Sequence, residues 1–292
     1  MYGAAPGFAG IAHWLNTPHD RPLTLAGLRG KVVLVDFWTY SCINCLRTLP
    51  HLEAWYANYR KDGFVIVGVH TPEFAFEHVS SNVAAAIKRL GIQYPVVQDN
   101  EYRTWDAYGN QYWPAEFLID RKGDVRHVHF GEGAYAESED AIRELLGVTS
   151  GSMTDVPNLT PTELTTPESY LGYLRLDRYV GTKVKDDRAA TYTLPKQIPP
   201  NDLAYGGTWT IGPQRILAGK SASIELHFHA RDVYIVLGGR GEVDVAIGGK
   251  KAAPLQVDTY RLYTVRMSRS VADAVLTLTF TPGVQAYSFT FG

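Results

Sequence analysis

Cys42 and Cys45 are the only cysteines of the 292-residue chain, and they stand in a C-x-x-C spacing. Two thiols so placed can cycle between dithiol and disulfide, or supply half of a zinc site. Zinc needs further ligands of the same kind, and the sequence has no second C-x-x-C. The context of the pair favours redox chemistry. In such chemistry one thiolate attacks a disulfide and the second thiol resolves the mixed disulfide. Six residues before Cys42, Asp36 interrupts an apolar run. Burying a carboxylate without a partner is costly, so its place there marks it as a candidate for proton chemistry.

A strand and a helix must position these groups. Residues 32–38, V-V-L-V-D-F-W, are apolar and β-branched, the pattern of a buried parallel strand. Residues 46–60 carry Leu49, Leu52, Trp55, Tyr56 and Tyr59 at helical spacing, with Pro50 inside. Cys42 therefore falls at a helix N-terminus, where free N–H groups and the dipole favour a thiolate. Cys45 lies one turn inside and is expected to be the more buried. Residues 63–69 read as the next buried strand. His70 and Glu73 follow at its C-terminal end, the edge where open α/β sheets bind ligands; His70 there is read as a hydrogen-bonded structural residue. The pattern then predicts a helix over 76–90, a strand over 94–97, a short helix over 101–108 and a strand entered through 112–120. A turn at 121–124, an antiparallel strand over 125–130 and an amphipathic helix over 137–146 complete this part. In the lead-in, residues 22–25 are expected to pair as a short edge strand.

V-D-F-W followed by C-x-x-C, with a proline five residues after the second cysteine, resembles thioredoxin. G-K-V-V-L-V-D-F-W and P-A-E-F-L-I-D resemble its extracytoplasmic relatives of the TlpA and ResA type. W-T-Y-S-C-I-N-C-L-R-T-L-P, with G-V-H-T-P-E-F downstream, is most similar to the soluble C-terminal region of DipZ-type proteins. The resemblance implies an α/β thioredoxin-like fold over residues 1–148, a linker over 149–168 and an all-β jelly-roll or sandwich domain over 169–292 like carbohydrate-binding modules. It also implies a thiol–disulfide oxidoreductase acting on protein disulfides, fed with electrons by a CcdA-like membrane domain. By resemblance Asp36 exchanges protons with Cys45, Pro114 is a cis-proline facing the cysteines, and Trp113 offers backbone groups to an extended substrate. Trp38 and Tyr40, flanking the motif, complete the expected substrate-contacting set; core packing is the alternative for Trp113. No cofactor beyond a redox-active Cys42–Cys45 disulfide is implied. The glutamate that the TlpA and ResA type carries three residues after the second cysteine is here Thr48. Thr39, three before Cys42, fits the T-x-x-C of peroxiredoxins, but their proline would fall at Val35; a thiol peroxidase is the enzymatic alternative.

Beyond residue 165 the chain reads as all-β. Strands are expected at 224–228, 233–237, 243–247, 260–265, 275–280 and 286–291, split by Gly, Pro and Asp signals. His227 and His229 share one face of a strand, as in cupin metal sites, but Val233 and Tyr234 stand where an acidic ligand is needed, so packing is the reading and no metal is expected. Trp209, Tyr170, Tyr173, Tyr205 and Tyr287 could stack on sugar rings or fill a sandwich core. The third possibility is therefore a glycan- or wall-binding module with a secondary redox domain.

With 28 basic against 30 acidic residues and no basic cluster, nucleic acid is not the expected partner. The first seven residues lack the basic start and apolar core of a signal peptide, which alone would read as cytoplasmic. The resemblance implies instead the extracytoplasmic ectodomain of a membrane protein.

Overall fold

The computed structural model describes residues 3–17, 19 and 21–292, which divide into two compact units, one running to Thr160 and one from Pro161. The first is built on a six-stranded mixed sheet. Its strands are β1 (His13–Leu15), β2 (Val32–Trp38), β3 (Phe64–His70), β4 (Val96–Gln98), β5 (Ala115–Ile119) and β6 (Val125–Phe130), in spatial order β1-β4-β3-β2-β5-β6. β2, β3 and β4 are parallel, and β1, β5 and β6 run against their neighbours. All seven residues of β2 are buried, which is why it reads as a continuous apolar run. Four helices connect the strands: α1 (Ile43–Tyr59), α2 (Ser80–Leu90), α3 (Arg103–Ala107) and α4 (Tyr135–Leu146).

The pleat sorts β2 between two layers. Val33, Val35 and Phe37 join Val67, Val69, Trp105 and Phe117 in one core. Asp36 shares the opposite face with its register partners, Gly68 on β3 and Glu116 on β5.

Two local expectations fail. Residues 22–25 form no strand; Leu23 and Leu25 instead tuck partly buried side chains against the core, and the edge strand is β1. The helix expected over 76–90 is broken. A 3₁₀ turn, Ala75–His78, precedes α2, with Val79 extended between them. The reason is Glu77, whose carboxylate bonds backward to the N–H groups of Glu73 and Phe74 and closes the turn on itself. Of the stretch expected as a linker, residues 150–152 accept hydrogen bonds from Arg143 on α4 and Thr154 binds Glu139, while Thr166 pairs with His229 in the second unit.

The second unit is an antiparallel sandwich around one apolar core containing Trp209, Phe228, Phe280 and Phe289. The six strands expected there are present, each within a few residues of the expected bounds. The sequence reading missed a nine-residue strand, Leu203–Ile211 (L-A-Y-G-G-T-W-T-I), which joins the two sheets. Its first half pairs with Ser223–Ala230, its second with Ala189–Tyr192 and Ile216–Ala218. The strand changes sheets at Gly206-Gly207. Gly207 has φ +72°, and a Cβ there would lie 1.9 Å from the Ser221 carbonyl oxygen, so only glycine fits the corner.

Candidate active site

β2 delivers the chain to a short loop, residues 39–41, and Cys42 is the N-cap of α1. Its Sγ accepts the Cys45 N–H at 3.4 Å, so the sulfur stands where the first helical N–H groups converge. Cys42 is half-buried, Cys45 is buried, and both are free thiols. The Trp113–Pro114 peptide bond is cis. It places the Trp113 carbonyl oxygen 4.0 Å from Cys42 Sγ. The Trp113 ring lies against Trp105 at 4.3 Å, and its N–H donates to the Thr71 carbonyl. Its backbone thus faces the thiol while its ring anchors in the packing.

Beneath Cys45 the sheet presents acids. Asp36 is 1% exposed, and among the described residues neither carboxyl oxygen has a hydrogen-bond partner. Burial, then the neighbouring Glu116, push its carboxyl well above the usual range. Glu116 is equally buried, accepts a bond from the Ser138 hydroxyl on α4 at 3.0 Å, and is raised to about 7 by burial. Burial also pushes the Cys45 thiol well up, and the sulfur of Cys42 adds to this. Gly68 leaves room here: a Cβ would come within 3.0 Å of Trp38 Nε1 and of the Tyr94 ring. The expectation of a solitary carboxylate is therefore incomplete. Glu116 carried the signal that Asp36 did, an acid inside an apolar run, in P-A-E-F-L-I.

Trp38 and Tyr40 do not face a substrate. They are 0% and 1% exposed. Their rings pack on His70, Tyr40 stacked at 5.5 Å and Trp38 edge-on at 5.3 Å. They belong to the support beneath the site: Trp38 ends β2 on the same buried face as Asp36, and Tyr40 turns inward in the loop before Cys42. His70 is fully buried, and burial lowers it to about 3, so it is neutral. Among the described residues, the exposed aromatics of this unit are Tyr112 and Phe130, 5.3 Å apart. Tyr112 directly precedes the Trp113–Pro114 pair, and Phe130 pairs with Ala115 in register.

In the sandwich, His227 and His229 both turn to Asp273 on the adjacent strand, at 2.8 and 3.3 Å. Of the five aromatics considered for sugar stacking, Trp209, Tyr205 and Tyr287 are buried. Tyr170 is covered by the Arg175 guanidinium at 3.6 Å, and Tyr173 packs against the core while its hydroxyl donates to Asp187.

Residues 166–292 match the thioredoxin like C-terminal domain family, and residues 4–128 match the AhpC/TSA family. Over 99% of its length the chain is 43% identical to protein DipZ of Mycobacterium tuberculosis. The chain is a homologue of DipZ. It spans 43% of the length of that relative. The thiol-disulfide oxidoreductase ResA of Halalkalibacterium halodurans is 33% identical over 109 residues, 37% of this chain and 59% of ResA. A thiol-disulfide isomerase from Corynebacterium glutamicum superposes with a TM-score of 0.44 and 25% identity, covering 50% of this chain and 98% of its own. The architecture is the expected one, a thioredoxin-like α/β fold followed by a β-sandwich.

Proposed function

We propose that the chain is an extracytoplasmic thiol–disulfide oxidoreductase that reduces protein disulfides. The observation that carries this is the stacking of four groups: the Trp113 carbonyl before cis-Pro114, the helix-terminal Cys42, the buried Cys45 and the buried Asp36. The Cys42 thiolate attacks one sulfur of the substrate disulfide, forms a mixed disulfide and releases the other sulfur as thiolate. Cys45 then gives its proton to the Asp36 carboxylate and attacks Cys42 Sγ. The Cys42–Cys45 disulfide forms, and the second substrate thiolate leaves. Two electrons pass from the protein dithiol to the substrate. No group beyond the cysteine pair is needed to carry them. The raised Cys45 and Asp36 make this hand-over effective, since both disfavour charge in the same dry site.

Returning the pair to the dithiol needs a two-electron donor. A CcdA-like membrane domain in the rest of a longer DipZ-type protein would supply it, with this chain on the extracytoplasmic face. Among the described residues no helix is long and apolar enough to cross a membrane. A glycan role for the sandwich draws no support from the five aromatics considered: Trp209, Tyr205 and Tyr287 are buried, Arg175 covers Tyr170, and Tyr173 is half-buried against the core.

A peroxidase reading draws on the AhpC/TSA match. Against it, the Thr39 hydroxyl is fully buried and donates to Glu77 at 2.5 Å, so its hydrogen is turned away from Cys42. The deciding experiment is the reduction potential of the pair in glutathione buffers. A value near −270 mV marks a reductant, and one near about −120 mV an oxidant and the failure of the proposed direction.

A further inference from the structure

Glu77 is fully buried, is not part of the thiol chemistry, and sits behind the nucleophile. One carboxylate oxygen accepts the hydroxyl hydrogens of Thr39 at 2.5 Å and Ser41 at 2.6 Å. The other accepts the backbone N–H groups of Glu73 at 2.7 Å and Phe74 at 3.0 Å. Four donors thus converge on one side chain, and two of them belong to the three-residue loop that ends at Cys42. A carboxylate with four donors is a rigid anchor, because each bond to a charged acceptor is about twice as strong as a neutral one. Among the described residues no cation pairs with it: the ring that reaches Thr39, His70 through Nε2 at 3.3 Å, is neutral.

We propose that Glu77 is a positioning residue for Cys42, clamping Thr39 and Ser41 so that the nucleophile is held at the N-terminus of α1 and reporting the charge of the clamp to it. The inference rests on the proposed redox function. Burial raises Glu77 to about 7, with Glu73 adding to the rise and the four donors opposing it. The other titratable groups nearby are His70 on β3, which stays neutral, and His78, which follows Glu77 in the 3₁₀ turn. The clamp therefore changes charge near neutrality. When Glu77 ionises, both hydroxyls donate inward; when it is protonated, one of the four bonds is lost to its own proton.

The test uses the full chain. Iodoacetamide alkylation of Cys42 is followed from pH 5 to 10, alongside single-turnover reduction of a protein disulfide. In the wild type, Cys42 alkylation should show an inflexion near pH 7 besides that of the thiol itself. Glu77→Gln keeps a carbonyl for the two backbone donors and offers its NH₂ to the two hydroxyls, which can rotate to accept. It should remain folded and keep most of the reduction rate, yet lose the inflexion near pH 7. Glu77→Ala removes the shared acceptor of all four donors and should slow reduction about ten- to hundredfold by loosening the loop. If Glu77→Ala does not fold, the Glu77→Gln profile decides. An unchanged inflexion in Glu77→Gln, or a folded Glu77→Ala at the wild-type rate, overturns the proposal. A wild type that alkylates with the inflexion but reduces no disulfide refutes the redox function and leaves the clamp standing.

Discussion

Asp36, Glu77, Glu116 and Glu139 are each at most 2% exposed in the α/β unit, whereas among the described residues of the sandwich one acid, Asp232, is buried. Asp232 is paired with Arg231 and with the Ser268 N–H. Asp36 has no such partner. The sandwich fills its interior instead with aromatics whose polar ends are satisfied by backbone: Trp209 donates to the Gly206 carbonyl and Tyr205 to that of Leu171. Both units bury large side chains, but among the described residues only the first accepts the cost of burying a carboxyl group that has no hydrogen-bond partner, Asp36. Asp36 and Glu116 face each other across the β2–β5 register and Glu77 holds the loop before Cys42, whereas Glu139 is fully bonded to Trp55, Tyr59 and Thr154 toward the other end of α1. The unpartnered acid is the one beside the sulfurs, which is what separates a site from a scaffold.

The largest effect should come from the sulfurs. Cys42→Ser should lower protein-disulfide reduction by at least about a thousandfold, as loss of a nucleophile does, and leave the thermal transition of the sandwich in place. Cys45→Ser should instead trap a mixed disulfide on Cys42, visible by mass after acid quenching. Trapped substrate on neither variant would dismantle the site. Next, Asp36→Asn keeps shape but cannot take the Cys45 proton. Resolution should slow about a hundredfold at neutral pH, with the gap closing as pH rises and Cys45 ionises unaided. Coincident pH profiles for mutant and wild type would return Asp36 to a structural role.

Glu116 tests the cost directly. Its folded-state value is raised from 4.5 to about 7, so the folded state binds its proton more tightly than the unfolded state does. Stability linked to it is present below about pH 4.5 and is lost as pH rises through about 7. Glu116→Gln removes the loss and keeps the bond to Ser138. By urea unfolding, the mutant should match wild type near pH 4 and exceed it by at most about 3 kcal/mol at pH 8. A pH-independent difference would mean that Glu116 ionises in the fold as readily as in the unfolded chain, so that burial does not raise it.

Much of this architecture was legible beforehand. The run V-V-L-V-D-F-W and the helix after it follow from periodicity, and Cys42, Cys45 and Asp36 stand out because a reactive or charged type interrupts an apolar pattern. What escaped depends on distant pairing. Glu116 meets Asp36 only through the β2–β5 register, and Glu77 meets Thr39 only after β3 returns alongside β2. Trp38 and Tyr40 sit next to the motif in sequence, yet the pleat of β2 turns Trp38 inward and the loop turns Tyr40 inward, because adjacency along the chain does not fix direction. The strand holding Gly206-Gly207 was passed over because two glycines weaken a strand pattern, although they form the corner that joins the sheets. Tyr112 shares this lesson. Replacing its neighbour Trp113 with alanine should slow reduction of protein disulfides about tenfold and of DTNB little, since the ring anchors the backbone that an extended substrate would meet. Equal losses on both would confine Trp113 to packing.

The smallest effect is expected in the sandwich, and it sets the scale for the rest. His227 is raised above its usual range by its bond to Asp273, then by the Ile198 carbonyl. The stability it contributes is thus present below the unfolded histidine value of about 6.5 and is lost as pH rises through the higher folded value. The pair is largely exposed, with Asp273 57% accessible, so solvent screens it strongly. Asp273→Asn should lower the melting temperature of a fragment from residue 161 onward by only about one or two degrees at pH 5.5. At pH 9, where the charge on His227 is largely titrated away from its low-pH state, it should change much less. The fragment should fold alone, because its core is self-contained. A shift as large at pH 9 as at pH 5.5 would show Asp273 acting through packing rather than charge. A shift approaching that expected of Glu116 would mean that the sandwich, too, depends on charge, and the contrast between the two units would fail.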